Sequence, residues 1–209
     1  MNMKKEVVKY AKMCFDNGLT TGTSGNVSLK KEDVIYITPS ALPYNEMEES
    51  DVLEVDLKSG EITAGHRNPS SETQMHRFIY LQDQNIGAIV HTHSTFATIF
   101  ACANLPIPPV HYTIADIGRG VSVAPYARYG SEKLAKNVVE TLGENNGVLL
   151  ANHGVVAVGA TLQDAYRRSE VIEEVAHFAY GSYTLNNVKP LSNEDLDDAL
   201  EGFKSYVSG

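Results

Sequence analysis

The stretch that most constrains this chain is Ile89-Val90-His91-Thr92-His93-Ser94. The apolar run from Ile86 to Val90 leads directly into two histidines separated by one residue. In a strand, alternate side chains share a face, so His91 and His93 project together while Thr92 points away. Two imidazoles side by side at the end of a buried strand suit a divalent transition metal, most often zinc. The run from Gly147 to Gly154 repeats the context: an apolar strand, then His153, then a break. Three histidines at the ends of two buried strands leave a coordination position open. A structural zinc site would close with a fourth ligand, commonly cysteine, and neither Cys14 nor Cys102 lies near these motifs.

The remaining elements follow from periodicity and punctuation. Apolar residues at Val7, Ala11, Cys14 and Phe15 predict a first helix over 3–17, with Gly18 after it. Val34 to Thr38 reads as a strand ended by Pro39, and 51–57 with 61–63 as a hairpin turning at Ser59-Gly60. A helix follows Asn68-Pro69-Ser70-Ser71-Glu72, with Ser71 as its N-cap and Met75, Phe78 and Ile79 inward. Thr95 to Ala103 is helical and Val110 to Thr113 a short strand. Ser131 caps an amphipathic helix ending at Gly143, Thr161 caps a long helix reaching about Tyr180, and Ser192 caps a last one. With no repeat or interdomain linker, residues 1–209 are expected to form a single α/β domain around a mixed, mostly antiparallel sheet.

Charge excludes some partners. Twenty-six acidic against 17 basic residues give a net charge of −9, unsuited to nucleic acid or an anionic membrane. A chain with two cysteines, both read as small core residues, suits a reducing cytoplasm, and no apolar run reaches membrane-spanning length.

Glu72 is the candidate general base, since it sits beside two serines at a helix start where an anionic group would also dock. The loop from Thr20 to Ser28 is dense in Gly, Ser and Thr and could offer amides and hydroxyls to a phosphate, although its spacing is not that of a P-loop. His66 is expected exposed and His177 packed inside its helix. His111 is as readily a hydrogen-bonded core residue as a chemical one. His76, four residues after Glu72, would share its helix face.

Taken in order, Gly22-Thr23-Ser24-Gly25-Asn26-Val27-Ser28, Ile37-Thr38-Pro39-Ser40, Pro69-Ser70-Ser71-Glu72, His91-Thr92-His93, His111-Tyr112, Ala124-Pro125-Tyr126 and Asn152-His153-Gly154 resemble the class II (zinc-dependent) sugar-phosphate aldolase and ribulose-phosphate 4-epimerase family. Within it the chain is most similar to the fuculose-phosphate aldolases, whose tail Phe203-Lys204-Ser205-Tyr206 also resembles. The resemblance implies a three-layer α/β/α fold and one Zn2+ per subunit on His91, His93 and His153. It implies Glu72 as acid/base and as a fourth ligand before substrate arrives. It implies a phosphate cradle from Gly25, Asn26, Ser40, Ala41, Ser70 and Ser71, and a homotetramer with active sites between subunits. There Tyr112 of a neighbour would protonate the aldehyde oxygen, and Phe203 and Tyr206 would border the aldehyde pocket. The implied reaction is cleavage of L-fuculose 1-phosphate, or a close ketose 1-phosphate, to dihydroxyacetone phosphate and L-lactaldehyde. No lysine falls in the motifs from Gly22 to Gly154, against a Schiff-base aldolase.

The epimerase branch carries Asp at the position of Glu72 and a lysine near Thr-Pro-Ser, and this chain has neither. A methylthioribulose-phosphate dehydratase and a non-catalytic adducin-head-like module are the other readings. One residue departs from the family pattern: Ala41 stands where similar enzymes often have Gly, which suits a negative φ and conflicts with a positive one.

Overall fold

A computed structural model describes the backbone of residues 2–207 and the side chains of residues 2–203. Eight strands form one sheet: β1 (Asn26–Lys31), β2 (Val34–Ile37), β3 (Leu53–Asp56), β4 (Ile62–Ala64), β5 (Ala88–Thr92), β6 (Val123–Ala124), β7 (Gly147–Leu150) and β8 (Gly154–Gly159). Their order is β4-β3-β2-β1-β5-β8-β7-β6, antiparallel throughout except for the β6–β7 pair. Among the described residues the helices are α1 (Met3–Asp16), α2 (Thr73–Gln82), α3 (Thr95–Ala103), α4 (Glu132–Leu142), α5 (Leu162–Thr184) and α6 (Asn193–Val207).

Strand parity sorts the core into two layers, as an apolar sheet covered on both faces requires. Ile89 of β5 and Val156 and Val158 of β8 face the layer that holds Met75 and Ile79 of α2 and Leu134 and Val138 of α4. Ala88 and Val90 face α1 and the start of α5, and Val155 and Ala157 face α3 and the rest of α5. The fold is therefore the expected α/β/α sandwich. Every residue of β5 is buried, and each such Ile or Val side chain contributes roughly 1.5–3 kcal/mol of transfer free energy.

Several local expectations are corrected. Val110 to Thr113 is not a strand: residues 112–116 form a 3₁₀ turn, with the Val110 N–H donating to Pro108 O and the His111 ring bonded to Thr113 Oγ1 at 2.8 Å. Ile114 and Ala115 must be buried on one side of the chain, which a 3₁₀ turn achieves and an alternating strand does not. Cys14 is buried as expected but Cys102 is exposed. His177 is exposed as well, stacked on Phe96 at 3.8 Å, because the buried stripe of α5 runs through Ile172, Val175, Ala176 and Ala179 and leaves it outside. Ser71 is not the cap of α2, whose N-cap is Glu72, and no side chain caps it.

Candidate metal and acid–base site

His91 shares the face of Ile89, toward α2, by strand parity. Its Nδ1–H donates to Val155 O of the adjacent strand at 2.9 Å, which leaves Nε2 facing inward as the atom that can take a proton or a metal. His93 follows two residues on, and His153 sits in the turn between β7 and β8. The three imidazoles meet edge to face, with ring centroids 4.9–5.0 Å apart.

Glu72 enters from the other side. Pro39 and Pro69 form an isolated antiparallel bridge, and the Ser40 N–H donates to Asn68 O at 2.9 Å, so the two loops run together into the start of α2. The Glu72 N–H donates to Ser70 Oγ and the Thr73 hydroxyl to Ser70 O, which turns the carboxylate away from the helix amides and toward the histidines. Oε2 lies 3.0 Å from His91 Nε2 and accepts from the Asn26 amide at 2.9 Å; Oε1 lies 3.4 Å from His153 Nε2 and has no hydrogen-bond partner among the described residues.

Burial alone would raise Glu72, but His91, His153 and the Asn26 amide outweigh it and hold the carboxyl well below the usual carboxylate range. Burial opposes the charged form of His91 too, and Glu72 with the Val155 carbonyl overcomes it, so His91 moves up. Burial, with the charge on His91, lowers His93 to about 3 and His153 to about 4. The site is thus one ionised carboxylate facing imidazoles of which two are neutral and free to donate lone pairs.

These residues fit a transition-metal ion. The three ring nitrogens lie within 4.8 Å of one another, and His93 Nε2 is 3.2 Å from His91 Nε2, close to the ~3.3 Å edge of a tetrahedron with zinc–nitrogen bonds of about 2.0–2.1 Å. The orphaned Glu72 Oε1 faces the same point, and a buried, unpaired carboxylate oxygen is costly without a cation.

A cavity of about 330 Å³ opens beside the cluster and brings most of the sequence-predicted residues together: Gly25, Asn26, Ser40, Ala41, Ser70, Ser71, Glu72, His93 and His153 all line it. His91 lies fully buried behind that surface. Tyr112 is outside the cavity, 52% exposed and 5.9 Å from the Phe203 ring. Phe203 packs against the core cluster under α6, and the Tyr206 side chain lies outside the described residues. Sequence reasoning did not single out Asn152 or Tyr129 as cavity residues. Asn152 was signalled by the turn that carries His153, whereas nothing in the local pattern marks Tyr129. Ala41 sits at φ +58°, the positive value that the Ala-for-Gly departure put in question, so this loop holds an alanine in left-handed backbone.

Comparison with known proteins gives the same picture over nearly the whole chain. A 5-deoxy-D-ribulose 1-phosphate aldolase from Bacillus thuringiensis is 36% identical over 205 residues, covering 97% of this chain and 96% of the relative. An L-fuculose phosphate aldolase from Escherichia coli is 35% identical over 191 residues, 90% of this chain and 88% of that one. A solved L-fuculose 1-phosphate aldolase superimposes with a TM-score of 0.94 at 37% identity, covering 97% and 96% of the two chains. Residues 5–180 match the family model for the class II aldolase and adducin N-terminal domain, and the chain belongs to the class II aldolases.

Proposed function

We propose that this aldolase cleaves a deoxyketose 1-phosphate to dihydroxyacetone phosphate and a short aldehyde, with a divalent ion, zinc first, held by His91, His93 and His153. The observation that carries the reading is the placement of the ionised Glu72 carboxylate against the three imidazoles on one wall of a cavity lined also by Gly25, Asn26, Ser40, Ser70 and Ser71. When bound, the ion supplies Lewis-acid stabilisation of the negative charge that develops as a carbon–carbon bond breaks.

The chain's own residues do the rest. Hydroxyls and amides of the 23–26, 40–41 and 70–71 loops bind the phosphate and fix the substrate relative to Glu72. Glu72, ionised and with Oε1 unengaged, takes and returns the proton at the carbon next to the carbonyl. Tyr112, exposed and outside its own cavity, suits service to a neighbouring subunit's site, with Phe203 beside it, in a homotetramer of single-domain subunits.

Both L-fuculose 1-phosphate and 5-deoxy-D-ribulose 1-phosphate are substrates named for the relatives, and both yield dihydroxyacetone phosphate, so the aldehyde half distinguishes them. The test is a coupled assay for dihydroxyacetone phosphate over a panel containing the two, with Glu72→Gln as control. Release from at least one substrate and a loss of at least ~10²-fold in the variant are expected, the scale of general acid–base catalysis. Full activity in Glu72→Gln removes the residue from the mechanism.

A further inference from the structure

Behind Glu72 a chain of buried polar side chains starts at Asn26 in the cavity wall and leads away from the site. Asn26 heads β1, Ser28 lies two residues along it, and His76 and Tyr80 are spaced four apart on the inward face of α2. Strand parity turns Ser28 out of the cluster that buries Val27 and Leu29 and toward α2. His76 Nε2 lies 2.6 Å from Asn26 Oδ1, His76 Nδ1 2.6 Å from Ser28 Oγ, and Ser28 Oγ 2.7 Å from the Tyr80 hydroxyl. Ser28, His76 and Tyr80 are fully buried and Asn26 is 3% exposed.

The chemistry of the end group sets the direction of every bond. An ionised carboxylate only accepts, so the Asn26 atom 2.9 Å from Glu72 Oε2 is the amide nitrogen. Asn26 Oδ1 therefore faces His76, whose Nε2 must carry the proton. Nδ1 is then a bare acceptor, Ser28 must donate to it, and Tyr80 must donate to Ser28. Every donor in the chain points toward Glu72, and bonds aligned this way strengthen one another. A flipped Asn26 would set its oxygen against the carboxylate and its amide N–H groups against the N–H of His76.

We propose that His76 is a positioning residue: as its Nε2–H tautomer it fixes the way the Asn26 amide faces, and so ties down one oxygen of Glu72 while the other is left for the proton transfer. The division is visible in the site, where Oε2 accepts from the Asn26 amide and lies 3.0 Å from His91 Nε2, whereas Oε1 has no hydrogen-bond partner among the described residues. The inference rests on the aldolase reading for the use made of Glu72, but the polarity of the chain does not.

Two measurements test it in the full-length, zinc-loaded protein. Nitrogen-15 NMR of the histidine side chains reads the tautomer without any substitution: His76 is expected protonated on Nε2 alone, and a proton on Nδ1, or on both nitrogens, overturns the proposal. The second compares His76→Leu with His76→Gln, whose amide donates to Asn26 and accepts from Ser28 with the same polarity. The readouts are kcat, KM, zinc content and solvent-deuterium incorporation into dihydroxyacetone phosphate. The leucine variant should lose roughly 30-fold in kcat and in exchange, a part of the ~10²–10⁴ of an acid–base group, with full zinc and a smaller change in KM. The glutamine variant should return to within about 5-fold of the parent. Unchanged kcat in folded His76→Leu, or a glutamine variant no better than leucine, overturns the positioning role. If His76→Leu does not fold, the tautomer decides. If the parent protein neither cleaves nor exchanges, the aldolase reading fails, and the tautomer still decides whether the chain is ordered toward Glu72.

Discussion

Gly154, the first residue of β8, gives a sharp test of how the histidines are held. A Cβ there would lie 2.4 Å from Thr92 O, 2.8 Å from His93 Cδ2 and 3.3 Å from His91 Cε1. Its φ lies outside the left-handed region, so alanine's backbone is allowed and packing alone decides. A carbon–oxygen contact relaxes at about 3.3 Å, so β5 and β8 must part by about 0.9 Å at the histidines, several times the ~0.2 Å tolerance of a metal–ligand distance. Gly154→Ala should therefore lower zinc affinity by at least ~10–100-fold, the range seen when groups supporting a ligand are disturbed, and cost about 1–3 kcal/mol as overpacking. The control is Gly159→Ala on the same strand, where the new Cβ would lie 2.6 Å from Ala165 N and 2.7 Å from Asp164 Cβ, at the end away from the histidines. Competition against a chelating dye reads affinity, and urea unfolding of the metal-free proteins reads stability. Equal zinc affinity in the two variants, at equal loss of stability, would refute the reasoning.

Three further perturbations follow from single positions. Ala41→Gly relieves a left-handed alanine at φ +58°, worth about 1–2 kcal/mol, against about 0.4–1 kcal/mol of added unfolded-chain entropy; the urea midpoint should rise by the equivalent of about 0.5–1 kcal/mol. Gly25→Ala sets a Cβ 2.5 Å from His91 O at φ +77°, so zinc should be lost together with phosphate affinity, whereas Ser71→Ala should weaken phosphate binding with zinc content intact. Asp116 is held below its usual 3.8 because, against burial, it accepts from Arg168 and Arg167; a depressed carboxyl stabilises above its unfolded pKa and loses that contribution as pH falls through the folded value. Asp116→Asn should cost roughly 1.5–3 kcal/mol at pH 7 by chemical denaturation, and the gap to the parent should shrink as pH drops below about 4.

Strands β2 to β5 and β7 and the histidine cluster were legible in the sequence, whereas β1 begins inside the stretch that reads as a Gly- and Ser-rich loop; once 86–93 is a strand, His91 and His93 share a face whatever packs on it. Only pairing information could reveal the rest. The start of α2 was misread because Ser71 has the better capping side chain, while Ser70 and the histidines hold Glu72 in a conformation that local propensity does not encode. The segment 110–113 has strand-forming residues, yet no neighbouring strand takes it up and Ile114 must be buried. His76 carried no signal of its partners, since its bonds to Asn26 and Ser28 exist only when α2 lies across β1, and those partners are 50 and 48 residues away in sequence.

The glycines show why a motif can carry more than one requirement. Gly25 belongs to a loop that reads as a phosphate cradle and Gly154 to a turn that reads as a histidine's flank, yet each borders β5 from opposite sides. A Cβ on either would strike a backbone oxygen of the ligand strand, His91 O at 2.5 Å from one side and Thr92 O at 2.4 Å from the other. Asn26 pairs with His91 and Val155 with Thr92 in the registers of the two flanking strands, so the glycine preceding each partner lies where the histidine strand leaves the sheet. Bare backbone on both flanks lets the sheet close around the end of β5, and only then do the imidazoles converge. The Gly-rich spacing that suggests an anion site is thus also a packing condition for the histidine cluster. The hydroxyls of Ser40 and Ser71 meet no such condition, and through them the proposed phosphate site can be altered without disturbing the cluster beside it.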